Sequence, residues 1–82
     1  EILPIDNPAV LAYWRVHEDD RVLCLYNLSK QQQSISLDLR SYHGDSLVDL
    51  LFQGENIILS EWPTVKIMAP LASHWLHLEK TP

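Results

Sequence analysis

Between Ser34 and Leu39 the chain alternates without a break: Ser34, Ser36 and Asp38 are polar, while Ile35, Leu37 and Leu39 are apolar. Successive side chains of a β-strand point to opposite sides, so this run predicts a strand with one covered face and one wet face. Two earlier runs keep the same period but are apolar on both sides. Val10, Ala12, Trp14 and Val16 oppose Leu11 and Tyr13, and Val22, Cys24, Tyr26 and Leu28 oppose Leu23 and Leu25. Strands covered on both faces read this way. The intervening His17-Glu18-Asp19-Asp20 is short, charged and turn-forming, so the two runs predict a β-hairpin.

The rest of the chain continues in short extended pieces. Ser29, Lys30 and Gln31 to Gln33 form a polar connector into the Ile35 strand, and residues 40–45 form a loop around Gly44. Leu47 to Phe52 is a fourth strand, Gln53-Gly54-Glu55-Asn56 is a turn, and Ile57 to Leu59 is a short edge strand. Trp62-Pro63 interrupts the chain, because proline disfavours helix at the residue before it. Thr64 to Met68 alternates again, with Val65 and Ile67 expected to face inward, and Ala69-Pro70 ends it. In the last strand, Ser73 to Glu79, His74, Leu76 and Leu78 oppose Ser73, Trp75 and His77. No stretch sustains the 3.6-residue spacing of a helix. About six to eight short strands with regular turn signals predict an all-β fold, a small antiparallel β-sandwich.

A chain of 82 residues predicts a single domain, 1–82, of modest stability. It is 46% apolar and 21% charged, which opposes intrinsic disorder. With a net charge of −5 and six scattered Lys and Arg, it lacks the basic footprint that nucleic acid requires. No apolar stretch has the length of a bilayer span, so no membrane partner is expected. The single cysteine, Cys24, cannot pair within the chain and reads as a buried thiol packing as a small hydrophobe. It suits a reducing compartment, hence a cytoplasmic location.

Candidate chemistry is sparse. Glu18, Asp19 and Asp20 cluster at a hairpin tip, where water solvates them, and Asp38 and Asp49 are expected on solvent-facing strand positions. His74 and His77 are three apart on a strand and so point to opposite faces, and His17 and His43 stand alone. Zinc needs three or four converging ligands, and no such spacing is present. No nucleophile elbow, Cys–His signature or glycine-rich phosphate loop occurs, and no cofactor is implied. Asn27-Leu28-Ser29 matches the short N-glycosylation pattern, but the same residues can hydrogen-bond the backbone as the strand turns. Among the aromatics, Trp14 and Tyr26 lie in the most apolar strands and are expected in the core. Trp62, in a loop before proline, is the candidate for stacking on a sugar ring.

The order of segments resembles a known domain. Asp6-Asn7-Pro8-Ala9-Val10-Leu11-Ala12-Tyr13, a strand reaching Arg15, and then Val22-Leu23-Cys24-Leu25-Tyr26-Asn27-Leu28-Ser29 are similar to the start of the C-terminal β-domain of the α-amylase superfamily, glycoside hydrolase family 13. The likeness is greatest to the trehalose synthase, or maltose α-D-glucosyltransferase, branch. Ser36-Leu37-Asp38-Leu39, Leu47-Val48-Asp49-Leu50-Leu51 and the segment from Pro70 to Leu78 with Trp75 follow in the same order. The chain departs from the family at Pro70-Leu71-Ala72-Ser73, where a Pro-Tyr-Gly-type turn is common, and in having only Gly54 around residues 52 to 55.

The resemblance implies a division of labour. The family's catalytic carboxylates sit on a (β/α)₈ barrel N-terminal to this domain, so no catalytic residue transfers to this chain. The expectation is a non-catalytic accessory domain from a longer enzyme acting on α-glucosides, with the barrel of the same polypeptide as its partner. Glu1-Ile2-Leu3-Pro4 fits an internal position in such a protein. The outward halves of the first two strands, Leu11, Tyr13, Leu23 and Leu25, are the barrel-packing candidates, and an uncovered apolar patch is expected. The alternative is a carbohydrate-binding module that contacts α-glucan or maltooligosaccharide through Trp62.

Overall fold

A computed structural model describes residues 1–50 and 56–80. The expected all-β architecture is present: among the described residues, seven strands form two antiparallel sheets, arranged as a sandwich. The strands are β1 (Val10–His17), β2 (Asp20–Asn27), β3 (Gln33–Leu37), β4 (Ser46–Asp49), β5 (Asn56–Ile58), β6 (Thr64–Met68) and β7 (Ser73–Glu79). One sheet has the order β1-β2-β7-β4-β5, and the other pairs β3 with β6. The loop around Gly44 contains a single 3₁₀ turn at Arg40–Tyr42. The expected extension of the fourth strand to Phe52 and the turn at residues 53–55 lie outside the described residues.

The hairpin forms as the charge pattern requires. His17 pairs with Asp20, leaving Glu18 and Asp19 as a two-residue turn, and Glu18 takes a φ of 54°. Residues before β1 extend its sheet edge. Trp14 N donates to Glu1 O at 2.7 Å, Leu3 N donates to Ala12 O at 3.0 Å, and Ile2 bridges Tyr13.

Register sorts the side chains between the two faces of the large sheet, because directly paired residues share a face. Trp14 pairs with Leu23 and Ala12 with Leu25, and Leu23 pairs in turn with Leu76. These residues face β3 and β6 and join Ile35, Leu37, Leu39, Leu47, Leu59 and Met68 in one core. Burying side chains of this size stabilises by about 1.5–3 kcal/mol each, which offsets the entropy of ordering so short a chain.

Leu23 and Leu25 therefore belong to the domain's own core, at 0% exposure each, and cannot meet a partner as the sequence reading had it. Tyr26 is corrected the other way. It pairs with Leu11 on the outward face and is half-buried, whereas Trp14 is in the core. Asp49 pairs with Leu76 and so sits on the inward side of its strand, half-buried, and not toward solvent.

The largest correction concerns β6. Val65 and Ile67 are 68% and 61% exposed, while Lys66 and Met68 are buried. Register is the physical reason. Ile35 pairs with Lys66 and Gln33 with Met68, while Ser34 and Ser36, on the wet face of β3, pair with Ile67 and Val65. Asn27 Nδ2 donates to the carbonyls of Met68 and Ala69 at 3.3 and 3.0 Å, and so holds the end of β6 in that register. A one-residue slip would turn Val65 and Ile67 inward, but it would expel Met68 and break those bonds. Lys66, 7% exposed and paired with Ile35, occupies a position that a long side chain tolerates because its methylene stem can lie along apolar surface.

Candidate functional site

The outward face of the five-stranded sheet is aromatic and apolar. One row crosses it from Ile2 through Tyr13 and Cys24 to Trp75. Leu50 continues the row, with its N–H donating to Trp75 O at 2.8 Å. Leu11 and Tyr26 flank this row on one side; Arg15, Val22, His77 and Val48 flank it on the other. Ile2, Leu11 and Leu50 are 73%, 40% and 54% exposed. Tyr13, Val22, Tyr26, Val48 and Trp75 are half-buried by one another.

The aromatic side chains are held in place. The Tyr13 and Tyr26 rings stack with centroids 6.1 Å apart and planes 20° apart. Trp75 Nε1 donates to Tyr26 Oη at 2.8 Å. The Arg15 guanidinium lies over the Trp75 ring, 5.8 Å from its centroid, within cation–π range. Hydrogen bonding to Tyr26, with burial as a smaller cause, pushes the Tyr13 phenol up to about 12. Cys24 lies in the middle of this face yet is fully buried, so the surrounding rings already exclude water from the thiol. The rim is charged: His77 lies 3.4 Å from Asp20 Oδ1 and 3.6 Å from Glu79 Oε1.

The barrel-packing candidates thus separate. Leu11 and Tyr13 are on this face; Leu23 and Leu25 are not. Trp75 and Leu50 join the face without being among those candidates, and Tyr26 joins it although it is expected in the core. The strict alternation of β2 and β7 held that information, since Tyr26 and Trp75 each stand opposite buried leucines. Trp62 stands apart in the connection between β5 and β6, 71% exposed, its N–H donating to Ser60 Oγ at 3.2 Å.

The remaining candidates resolve into structure. Asn27 is 2% exposed. Its Nδ2 also donates to Gln31 O at 2.8 Å, and its Oδ1 accepts from Ser29 N at 3.0 Å and Ser29 Oγ at 2.8 Å. That nitrogen is spent on three carbonyls, so the Asn-Leu-Ser segment is a turn latch and not a glycan acceptor. Glu18, Asp19 and Asp20 are exposed at the hairpin tip. His74 and His77 point to opposite faces of the sheet. Asp38 is clamped by Arg40 through bonds of 2.8 and 3.0 Å, and this guanidinium holds its carboxyl below the usual range. Among the described residues no group of three or more His, Cys, Asp or Glu converges as a metal site would require.

These features define a two-sheet β-domain whose most developed surface is an apolar, aromatic sheet face. The chain belongs to the family described as maltogenic amylase, C-terminal domain, whose model matches residues 1–61. It is 46% identical over 52 residues to a trehalose synthase of Thermus thermophilus, covering 63% of this chain and 5% of that protein. It is 36% identical over 76 residues to a trehalose synthase of Pimelobacter sp. (strain R48), covering 88% of this chain and 13% of that protein. The chain therefore spans a small part of the length of these relatives. The expected likeness to C-terminal domains of the α-amylase superfamily, on the trehalose synthase side, is borne out.

Proposed function

We propose that this domain is a non-catalytic accessory module of an α-amylase-family enzyme that acts on α-glucosides, by hydrolysis or glucosyl transfer. Its work is to pack on that enzyme's catalytic (β/α)₈ barrel and stabilise it. The observation that carries this reading is apolar surface left outside a core that is already closed: Leu11, Tyr13, Leu50 and Trp75 face away from the sandwich interior. Contiguous apolar surface on a small domain marks a contact. Membership of a C-terminal domain family supports the same partner. A cytoplasmic location belongs to this proposal, and the unpaired thiol of Cys24 supports it.

Removing the domain from the longer enzyme is the test. The shortened enzyme is expected to unfold several degrees lower, and the 82-residue chain alone to leave maltose unchanged. An unaltered melting temperature, or conversion of maltose by the chain alone, would overturn the proposal.

One observation favours a second reading. Trp62 is 71% exposed, as a sugar-stacking ring must be, and would make the domain a contact point for α-glucan or maltooligosaccharide. Titration with maltoheptaose while following tryptophan fluorescence decides this: a saturable change lost in Trp62→Ala supports it, and no change removes it for that ligand.

A further inference from the structure

Two outward faces of this sandwich are apolar, and they are not equivalent. The first is the five-stranded face centred on Tyr13. The second is the outer side of the β3–β6 pair, where Val65 and Ile67 are exposed. We infer that the five-stranded face seats the preceding part of the same polypeptide, and that the β6 face takes no part in that contact. This rests on the accessory role proposed above and adds which surface performs it.

Three observations carry the choice. The first is where the chain arrives. Glu1 and Leu3 are hydrogen-bonded along the edge of β1, and Ile2 bridges Tyr13 on the same side of the sheet. In a longer protein, whatever precedes Glu1 approaches beside this face. Ile2, at 73% exposure, already extends the apolar row toward it.

The second is size. Five strands spaced about 4.8 Å apart make a face about 20 Å across, whereas two make one about 5 Å across. Contacts between domains of one chain bury about 600–1,500 Å² in total, which a broad face can supply and a two-strand ribbon cannot. On the ribbon, moreover, Val65 and Ile67 stand directly beside Ser36 and Ser34.

The third is composition and rigidity. Interface centres are rich in tyrosine, tryptophan and arginine and are rimmed by charge. Here Tyr13, Tyr26 and Trp75 occupy the middle with the Arg15 guanidinium over Trp75, while Asp20 and Glu79 flank His77 at the margin. Stacking, the Trp75–Tyr26 bond and the Arg15 contact hold these side chains before any partner arrives, which lowers the entropy lost on docking.

The test uses the longer enzyme with single lysines placed on one face or the other: Leu11→Lys and Leu50→Lys against Val65→Lys and Ile67→Lys. All four positions are exposed in this domain, so none disturbs its core. The expected result is a melting temperature lowered by several degrees for the first pair and unchanged for the second. Hydroxyl-radical footprinting of the native enzyme, referenced to the same protein denatured, gives an independent readout. Tyr13 and Leu50 are expected to be protected several-fold more than Val65. The reverse pattern in both measurements would overturn this assignment while leaving the accessory role standing, because a different face would be docked. No effect at any of the four positions, with all side chains reacting as exposed, would overturn the accessory role and this inference together.

Discussion

The carboxamide of Asn27 shows what a single buried polar side chain can hold together. It joins the end of β2 to the Gln31 connector and to the carbonyls that close β6. Removing it takes one donor from each of these carbonyls, although Ser29 Oγ still reaches Gln31 O at 2.9 Å and Ala72 N still reaches Ala69 O at 3.1 Å. Asn27→Ala is expected to cost about 1–3 kcal/mol, the cost of losing a buried polar side chain's hydrogen bonds. Denaturant unfolding of the variant checks this. Leu71 is the opposite case, a residue ill-suited to its backbone. It follows Pro70 in a turn closed by a 3.1 Å bond from Ala72 N to Ala69 O, and its φ is 57°. The left-handed region costs a non-glycine residue about 1–2 kcal/mol, and glycine nothing comparable. The side chain is 63% exposed and contributes little packing. Leu71→Gly is therefore expected to raise stability by up to about 1 kcal/mol after glycine's greater unfolded-state entropy is subtracted, visible as a higher melting temperature.

At the scale of elements, β6 and the Tyr13 face make the sharper predictions. Because register buries Met68 and exposes Val65, Met68→Ala is expected to cost about 2–5 kcal/mol and Val65→Thr no more than about 0.5 in the domain by itself. Equal losses in thermal unfolding would show the register to be wrong. On the other sheet, folding holds the Tyr13 phenol neutral up to about 12, against an ordinary value of 10.0. The sign follows from linkage: a group whose folded value is raised stabilises fully below its unfolded value and loses that contribution as pH rises through the folded one. Stability is thus expected to fall between pH 10 and about 12, and Tyr13→Phe to flatten that fall. Denaturation midpoints measured across that range, together with tyrosinate absorbance, are the check.

For the whole molecule, the telling residue is Cys24. It is on the outward face yet fully buried, so its reagent access requires the sheet to open, not merely a loop to move. Labelling of the thiol by an aromatic disulfide is expected to be slow in the folded chain and to track the global unfolding equilibrium as denaturant is added. Fast labelling in the native state would mean that the Tyr13–Tyr26–Trp75 cover is not closed.

The sequence by itself determined the strand character, the hairpin, the two-sided apolarity of β1 and β2 and the family likeness. All of these follow from the order of residues along one strand, or from local turn chemistry. Only the tertiary structure decided which side of each strand became the inside. Alternation says that Val65 and Lys66 face apart, but not which of them meets the core; pairing with β3 and the Asn27 latch made that choice. It likewise turned Leu23 and Leu25 inward and left Leu11, Tyr13 and Tyr26 outside. A period of two is symmetric between faces, and only contacts between segments distant in sequence break that symmetry.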